Sequence, residues 1–112
     1  MDCIFCKIIT GQIPSEMTYQ DDEIVAFPDI KPAAPVHILI VPKKHITSVA
    51  DVAVDDYHLV GRMIGVANQI AREQGIGENG YRLVFNCGKD GGVGVDHLHL
   101  HILGGRKLMS MG

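Results

Sequence analysis

The sequence predicts an α+β domain: a mainly antiparallel sheet of five strands, with one long and one short helix. Three observations lead there. Five short runs carry β-branched or alternating patterns, each closed by turn residues. Only one long stretch, Leu59 to Ala71, repeats apolar residues at helical spacing. The other elements are joined by turns rather than by repeated helices, which disfavours a parallel sheet alternating with helices.

The elements follow in order. Residues 3–10, with Ile4, Phe5, Ile8 and Ile9, read as a short helix or turn that Gly11 and Pro14 end. Residues 17–20 and 23–27 read as two short strands across a turn at Asp21 and Asp22. "PDIKPAAP", residues 28–35, holds three prolines and is a constrained loop. "VHILIVP", residues 36–42, is the strongest early strand. Asp55 is placed to cap the long helix, which carries Leu59, Val60, Met63, Ile64, Ala67, Ile70 and Ala71 on one stripe and stops at Gly75 and Gly77. Gly61 and Gly65 within it suggest a close neighbour. "YRLVFN", residues 81–86, is a strand, "CGKDGGVGV", residues 87–95, a glycine-rich loop, and residues 97–103 the last strand.

At 112 residues and 46% apolar composition, the chain fits one domain spanning 1–112. Roughly two-thirds of its unfolded surface can be buried without a further staple. The formal net charge is −3 and no basic run exceeds Lys43-Lys44, so a polymeric nucleic-acid partner is not expected. A single nucleotide stays open, since one phosphate needs only a few donors. The first ten residues lack the charged and apolar regions of a secretion signal, and no run approaches the ~20 apolar residues of a membrane span. An odd count of three cysteines then points to reduced thiols in the cytoplasm.

"DHLHLHILGG", residues 96–105, holds three of the six histidines. On a strand, residues i and i+2 share a face, so His97, His99 and His101 point one way and Leu98, Leu100 and Ile102 point into the core. A half-buried strand with an incidental histidine face is the plain alternative. The outer two rings lie ~13 Å apart at ~3.3 Å per residue, while zinc–nitrogen bonds are ~2.1 Å, so the triplet cannot converge on one ion. Its members must serve different ends. Cys3 and Cys6 offer two soft ligands, and His97 and His45 are the obvious pair to complete a four-ligand structural zinc site. A redox pair is disfavoured because no strand precedes the motif, and plain core cysteines stay open. His99 and His101 are left beside the loop holding Gly88, Gly91, Gly92 and Gly94. A neutral imidazole attacks phosphorus without prior deprotonation, and such a loop can bring backbone N–H groups to a phosphate. It is not a Walker A loop, for it has no G-x-x-x-x-G-K-[ST] pattern and leads into a strand rather than a helix. A hairpin turn is its plain alternative. Cys87 reads as a buried small apolar group and His58 as a solvated surface residue.

The chain closely resembles the histidine-triad (HIT) superfamily, whose signature "HLHLHIL" meets in full. "CIFCKIITGQIPS", "AFPDIKPAAPVHILIVPKKHI", "YRLVFNCGKDGG" and "HLHLHILGGR" look like family segments in family order. "LGGR" and the proline loop look most like the Hint branch of nucleoside phosphoramidases. The resemblance implies a homodimer whose sheets run on into each other. It implies that His99 attacks the α-phosphorus of an adenosine or guanosine 5′-phosphoramidate, that an amine leaves, and that water frees the nucleoside monophosphate. His101 and His37 would hold phosphate oxygens, with help from Asn86 and the backbone of Val95. Asp29 would accept from the ribose, and Phe5, Ile8, Phe27 and Ile30 would form the base slot. No catalytic metal is implied, and Cys3, Cys6, His45 and His97 match the zinc set of some members. Dinucleoside polyphosphate hydrolysis and slow nucleotide binding without useful turnover are the alternatives. The chain departs from the pattern at Gly94, where many members carry a side chain, and at Asp96.

Overall fold

The computed structural model describes residues 3–112, so Met1 and Asp2 of the expected domain lie outside the described residues. The chain runs α1 (Ile4–Ile9), β1 (Tyr19–Gln20), β2 (Ile24–Pro28), β3 (Val36–Pro42), α2 (Tyr57–Glu73), β4 (Tyr81–Val84) and β5 (Leu100–Gly104). The strands form one sheet in the order β1-β2-β3-β5-β4, and every neighbouring pair is antiparallel. This is the expected α+β architecture, with two 3-10 turns at Val49–Asp51 and Val54–Asp56 added before α2.

Alternation sorts the sheet's side chains to two covered faces. Ile24, Ala26, Ile38, Ile40, Leu100 and Ile102 pack with Leu59, Met63, Val66, Ala67 and Ile70 of α2. Val25, Phe27, Leu39 and Val41 pack with Cys3, Phe5 and Ile8 around α1. The histidines share the α1 face, and Leu98, Leu100 and Ile102 the α2 face, as alternation requires.

The ends of elements differ from expectation, each for a local reason. The last strand begins at Leu100 rather than residue 97. Its ladder with β3 ends at Ile40↔Leu100. Upstream, Leu98 N–H donates instead to Ile46 O at 2.6 Å, and the His97 ring takes Pro42 O at 2.8 Å. β4 stops at Val84, because the chain turns there into the glycine loop and Asn86 donates its side-chain amide to Gly91 O at 2.7 Å. Asp55 does not cap α2: it lies in the 3-10 turn, and the residue before the helix, Asp56, makes no side-chain cap either but accepts from Lys44 Nζ at 2.8 Å. The C-terminal stop is as expected. Gly75, at φ +75°, carries the left-handed position, with Gly75 N–H on Arg72 O and Ile76 N–H on Ala71 O. The close neighbour expected at Gly61 and Gly65 is not found: a Cβ on either would meet nothing within 4 Å among the described residues. Cys87 opens the loop as expected but is exposed rather than buried, its Sγ facing Ser48 Oγ at 3.7 Å.

Candidate active site and metal centre

The six imidazoles do not act alike. His58 is on the exposed start of α2, 3.5 Å from Glu23, away from the others. The remaining five form two neighbouring groups, and the hydrogen-bond partners assign their protons. A ring nitrogen facing a carbonyl must carry hydrogen; one facing a backbone N–H must accept.

In the first group, His37 Nδ1 accepts from Ala33 N–H at 2.9 Å, so its Nε2 carries the proton. That Nε2 donates to His101 Nδ1 at 2.9 Å and lies 3.5 Å from Asp29 Oδ2. His101 therefore keeps its own hydrogen on Nε2. Burial, followed by the neighbouring His99 and His37, pushes the His101 pKa down to about 4. Burial also lowers that of His37, against the pull of Asp29. The Asp29–His37 contact thus joins a carboxylate to a neutral ring. Asp29 also braces the proline loop, where its Oδ1 accepts from Lys31 N–H at 2.8 Å. His99, buried, donates Nδ1–H to His97 O at 2.7 Å. Its Nε2 is left with a lone pair, and its ring packs 4.9 Å from His101 and 5.1 Å from Phe5.

Beside these rings lies an apolar cavity of about 260 Å³ lined by Phe5, Ile8, Phe27, Asp29, Ile30 and Val95. Phe5, Ile8, Phe27 and Ile30 were expected to form the base slot, Asp29 to meet the ribose and the Val95 backbone to meet the phosphate. Phe5 and Phe27 meet edge to face at 5.6 Å. Ile30 is 89% exposed, so it offers an apolar side chain to whatever enters. Ile4, Ile13 and Leu39 also line the cavity and were missed. Leu39 could have been found by alternation, two residues from His37 on the same strand face. Ile13 follows the helix stop, where periodicity says nothing. Of the loop residues, Asn86 braces the loop through Gly91, and Gly92 and Gly94 are exposed. A larger cavity of about 500 Å³ lies at Gly75, Asn79 and Arg106, but among the described residues no histidine, cysteine or carboxylate lines it.

The second group is Cys3, Cys6, His45 and His97, whose ligand atoms all lie within 4.8 Å of one another. Cys3 Sγ and Cys6 Sγ are 3.3 and 3.6 Å from His97 Nδ1, Cys6 Sγ is 3.4 Å from His45 Nδ1, and the two Nδ1 atoms are 3.1 Å apart. Tetrahedral zinc with bonds of ~2.1 Å to nitrogen and ~2.3 Å to sulfur has ligand edges of ~3.4–3.8 Å. The four donors are thus already spaced closely enough to hold such an ion. His97 Nε2 is tied to Pro42 O, which fixes the tautomer that presents Nδ1 to it. The chemistry of the set, two thiols and two imidazoles, is compatible with zinc.

Residues 2–111 match the family described as scavenger mRNA decapping enzyme, C-terminal binding. The structure of a histidine triad protein from Clostridium difficile is 50% identical, with a TM-score of 0.96 over 100% of this chain and 97% of that one. The chain belongs to the histidine-triad family. A HIT family hydrolase from Legionella pneumophila Philadelphia 1 is 48% identical, with a TM-score of 0.94 over 96% of each chain. The purine nucleoside phosphoramidase of Escherichia coli (strain K12) is 51% identical over 110 residues, covering 98% of this chain and 92% of that protein. In this histidine-triad chain the triad is shared out: the ring of His97 belongs to the cysteine group, that of His99 packs on Phe5 of the cavity wall, and that of His101 pairs with His37.

Proposed function

We propose that this chain is a purine nucleoside phosphoramidase that works through a covalent nucleotidyl-histidine on His99. One observation carries the reading. Donation of Nδ1–H to His97 O leaves the Nε2 lone pair of His99 available next to an apolar cavity edged by a carboxylate. The similarity to the phosphoramidase of Escherichia coli supports the substrate class.

The purine would enter the slot of Phe5, Ile8, Phe27 and Ile30, and Asp29 would accept from the ribose hydroxyls. His99 Nε2 attacks the α-phosphorus, the phosphorus–nitrogen bond breaks, and the amine leaves with a proton drawn from solvent, which the second proton of the hydrolytic water later replaces. Water then adds hydroxide to phosphorus, releasing the nucleoside monophosphate and restoring the ring. His101 can donate its Nε2–H to a phosphate oxygen while its Nδ1 accepts from His37, which keeps that donor aimed. The backbone at Gly94 and Val95 would supply further donors, whereas the N–H groups of Gly92 and Val93 are held within the loop by Lys89 O and Gly88 O. Cys3, Cys6, His45 and His97 would hold a structural zinc that takes no part in the bond changes. The thiols suit the cytoplasm. The exposed stripe of Tyr57, Gly61, Ile64 and Gly65 on α2 suits the two-fold contact of a homodimer.

The test is turnover of adenosine and guanosine 5′-phosphoramidates beside a dinucleoside polyphosphate, on protein whose solution mass should be twice 12.2 kDa. Release of amine and monophosphate with the higher kcat/KM is expected for the phosphoramidates. Preference for the dinucleotide would contradict the reading. A second reading, slow nucleotide binding, is favoured by Gly94 alone, which gives the leaving group no side-chain donor. It predicts nucleotide affinity with negligible turnover.

A further inference from the structure

Cys3, Cys6 and His45 take no part in the reaction proposed above, yet two routes tie them to it. The first runs through the peptide plane between His97 and Leu98. Its oxygen accepts from His99 Nδ1 at 2.7 Å, and its N–H donates to Ile46 O at 2.6 Å. A peptide is planar, so these two bonds cannot be turned independently. The residue on one side of that plane is His97, whose ring faces both sulfurs; the residue before Ile46 is His45. The orientation of the nucleophile is therefore set by two members of the four-residue group. The second route is Phe5, between Cys3 and Cys6 on α1. Its ring meets His97 at 5.9 Å and His99 at 5.1 Å and walls the cavity.

We propose that the Cys3-Cys6-His45-His97 centre, when metal-loaded, is a positioning clamp for catalysis: it holds the 97–98 peptide that aims His99 and seats α1 so that Phe5 closes the nucleotide slot. The inference rests on the His99 reading and on zinc as the ion. It makes Cys6 and His45 positioning residues, since neither touches the substrate. A metal that only strengthened the fold would change thermal stability and leave the chemistry of the folded enzyme alone.

The experiment compares the full chain with zinc, the chain after chelation, and His45→Ala and His45→Cys variants, with Cys87→Ser as a thiol control. Zinc content, far-ultraviolet circular dichroism, kcat and KM, AMP affinity and amide exchange at Lys7 and Leu98 are measured on each. One zinc per chain is expected in wild type, Cys87→Ser and His45→Cys. The metal-free forms should stay folded, lose kcat by roughly 10-fold or more, bind AMP several-fold more weakly, and exchange faster at Leu98 and at Lys7, whose N–H is held by Cys3 O. His45→Cys should keep kcat near wild type. Equal kcat and Leu98 exchange with and without metal would overturn the clamp and leave the phosphoramidase reading standing. Zinc-dependent exchange and AMP affinity with no turnover in either form would remove that reading and, with it, overturn the clamp as a device for catalysis. A wild type that takes up no zinc, or a metal-free chain that simply unfolds, would also overturn it.

Discussion

His101 shows how much one side chain's surroundings decide. It lies half-buried between two other imidazoles, and burial first, then those neighbours, oppose its protonation. Burial does the same to His37. Both pKa values are lower in the folded chain than the ordinary ~6.5 of the unfolded one. Their neutral forms therefore contribute stability that is fully present above about pH 6.5 and is lost as pH falls toward about 4. The urea midpoint should drop between about pH 7 and about pH 5, and drop less in His101→Asn. An unchanged midpoint over that interval would contradict the proton assignment. The division of the triad was legible in the sequence, because two-residue spacing fixes both the shared face and the ~13 Å span. The double use of Asp29 was not: bracing the proline loop and facing His37 depend on how that loop returns, which three prolines do not specify. Cys87 was misplaced for a similar reason. Its place in the loop was readable, but whether a loop residue is covered depends on what packs over it, which no local pattern states.

At the scale of elements, the glycine loop is a shaped turn whose glycines are not equivalent. A Cβ at Gly91 would clash with the backbone oxygen of Cys87, whereas one at Gly94 would meet nothing within 4 Å among the described residues. Gly91→Ala should cost about 1–3 kcal/mol by forcing that backbone apart, and Gly94→Ala should stay within about 0.5 kcal/mol of wild type. Chemical denaturation of the two variants checks this, and equal midpoints would show that the loop is looser than its geometry. Element identities were readable from periodicity. Element ends were not, because side chains and loops took over the ladder's partners. The His97 ring on Pro42 and Leu98 on Ile46 shorten β5, and a 3-10 turn displaces Asp55 from the cap of α2. Along β2 and β3 the apolar residues run almost unbroken, since α1 covers one sheet face and α2 the other.

For the whole molecule, the five strands could be counted from the sequence, but their order could not. Placing β5 between β3 and β4 sets His101 opposite Leu39 and within reach of His37, sixty-four residues away along the chain. The same crossing sets His97 beside Cys3, ninety-four residues away. The segment that leads into β5 thus passes the cysteine–histidine group before it reaches the imidazoles of the proposed phosphate site, with the His97 carbonyl between them. The central claim is that this arrangement makes His99 a nucleophile. The most direct measurement is the intact mass of the protein under non-acidic conditions after brief mixing with an adenosine 5′-phosphoramidate, for wild type and His99→Ala. A nucleotidyl adduct on wild type, missing from a folded His99→Ala that has lost roughly 10⁴-fold or more in turnover, is the expected result. An adduct that persists in His99→Ala, or turnover that survives the substitution, would contradict it.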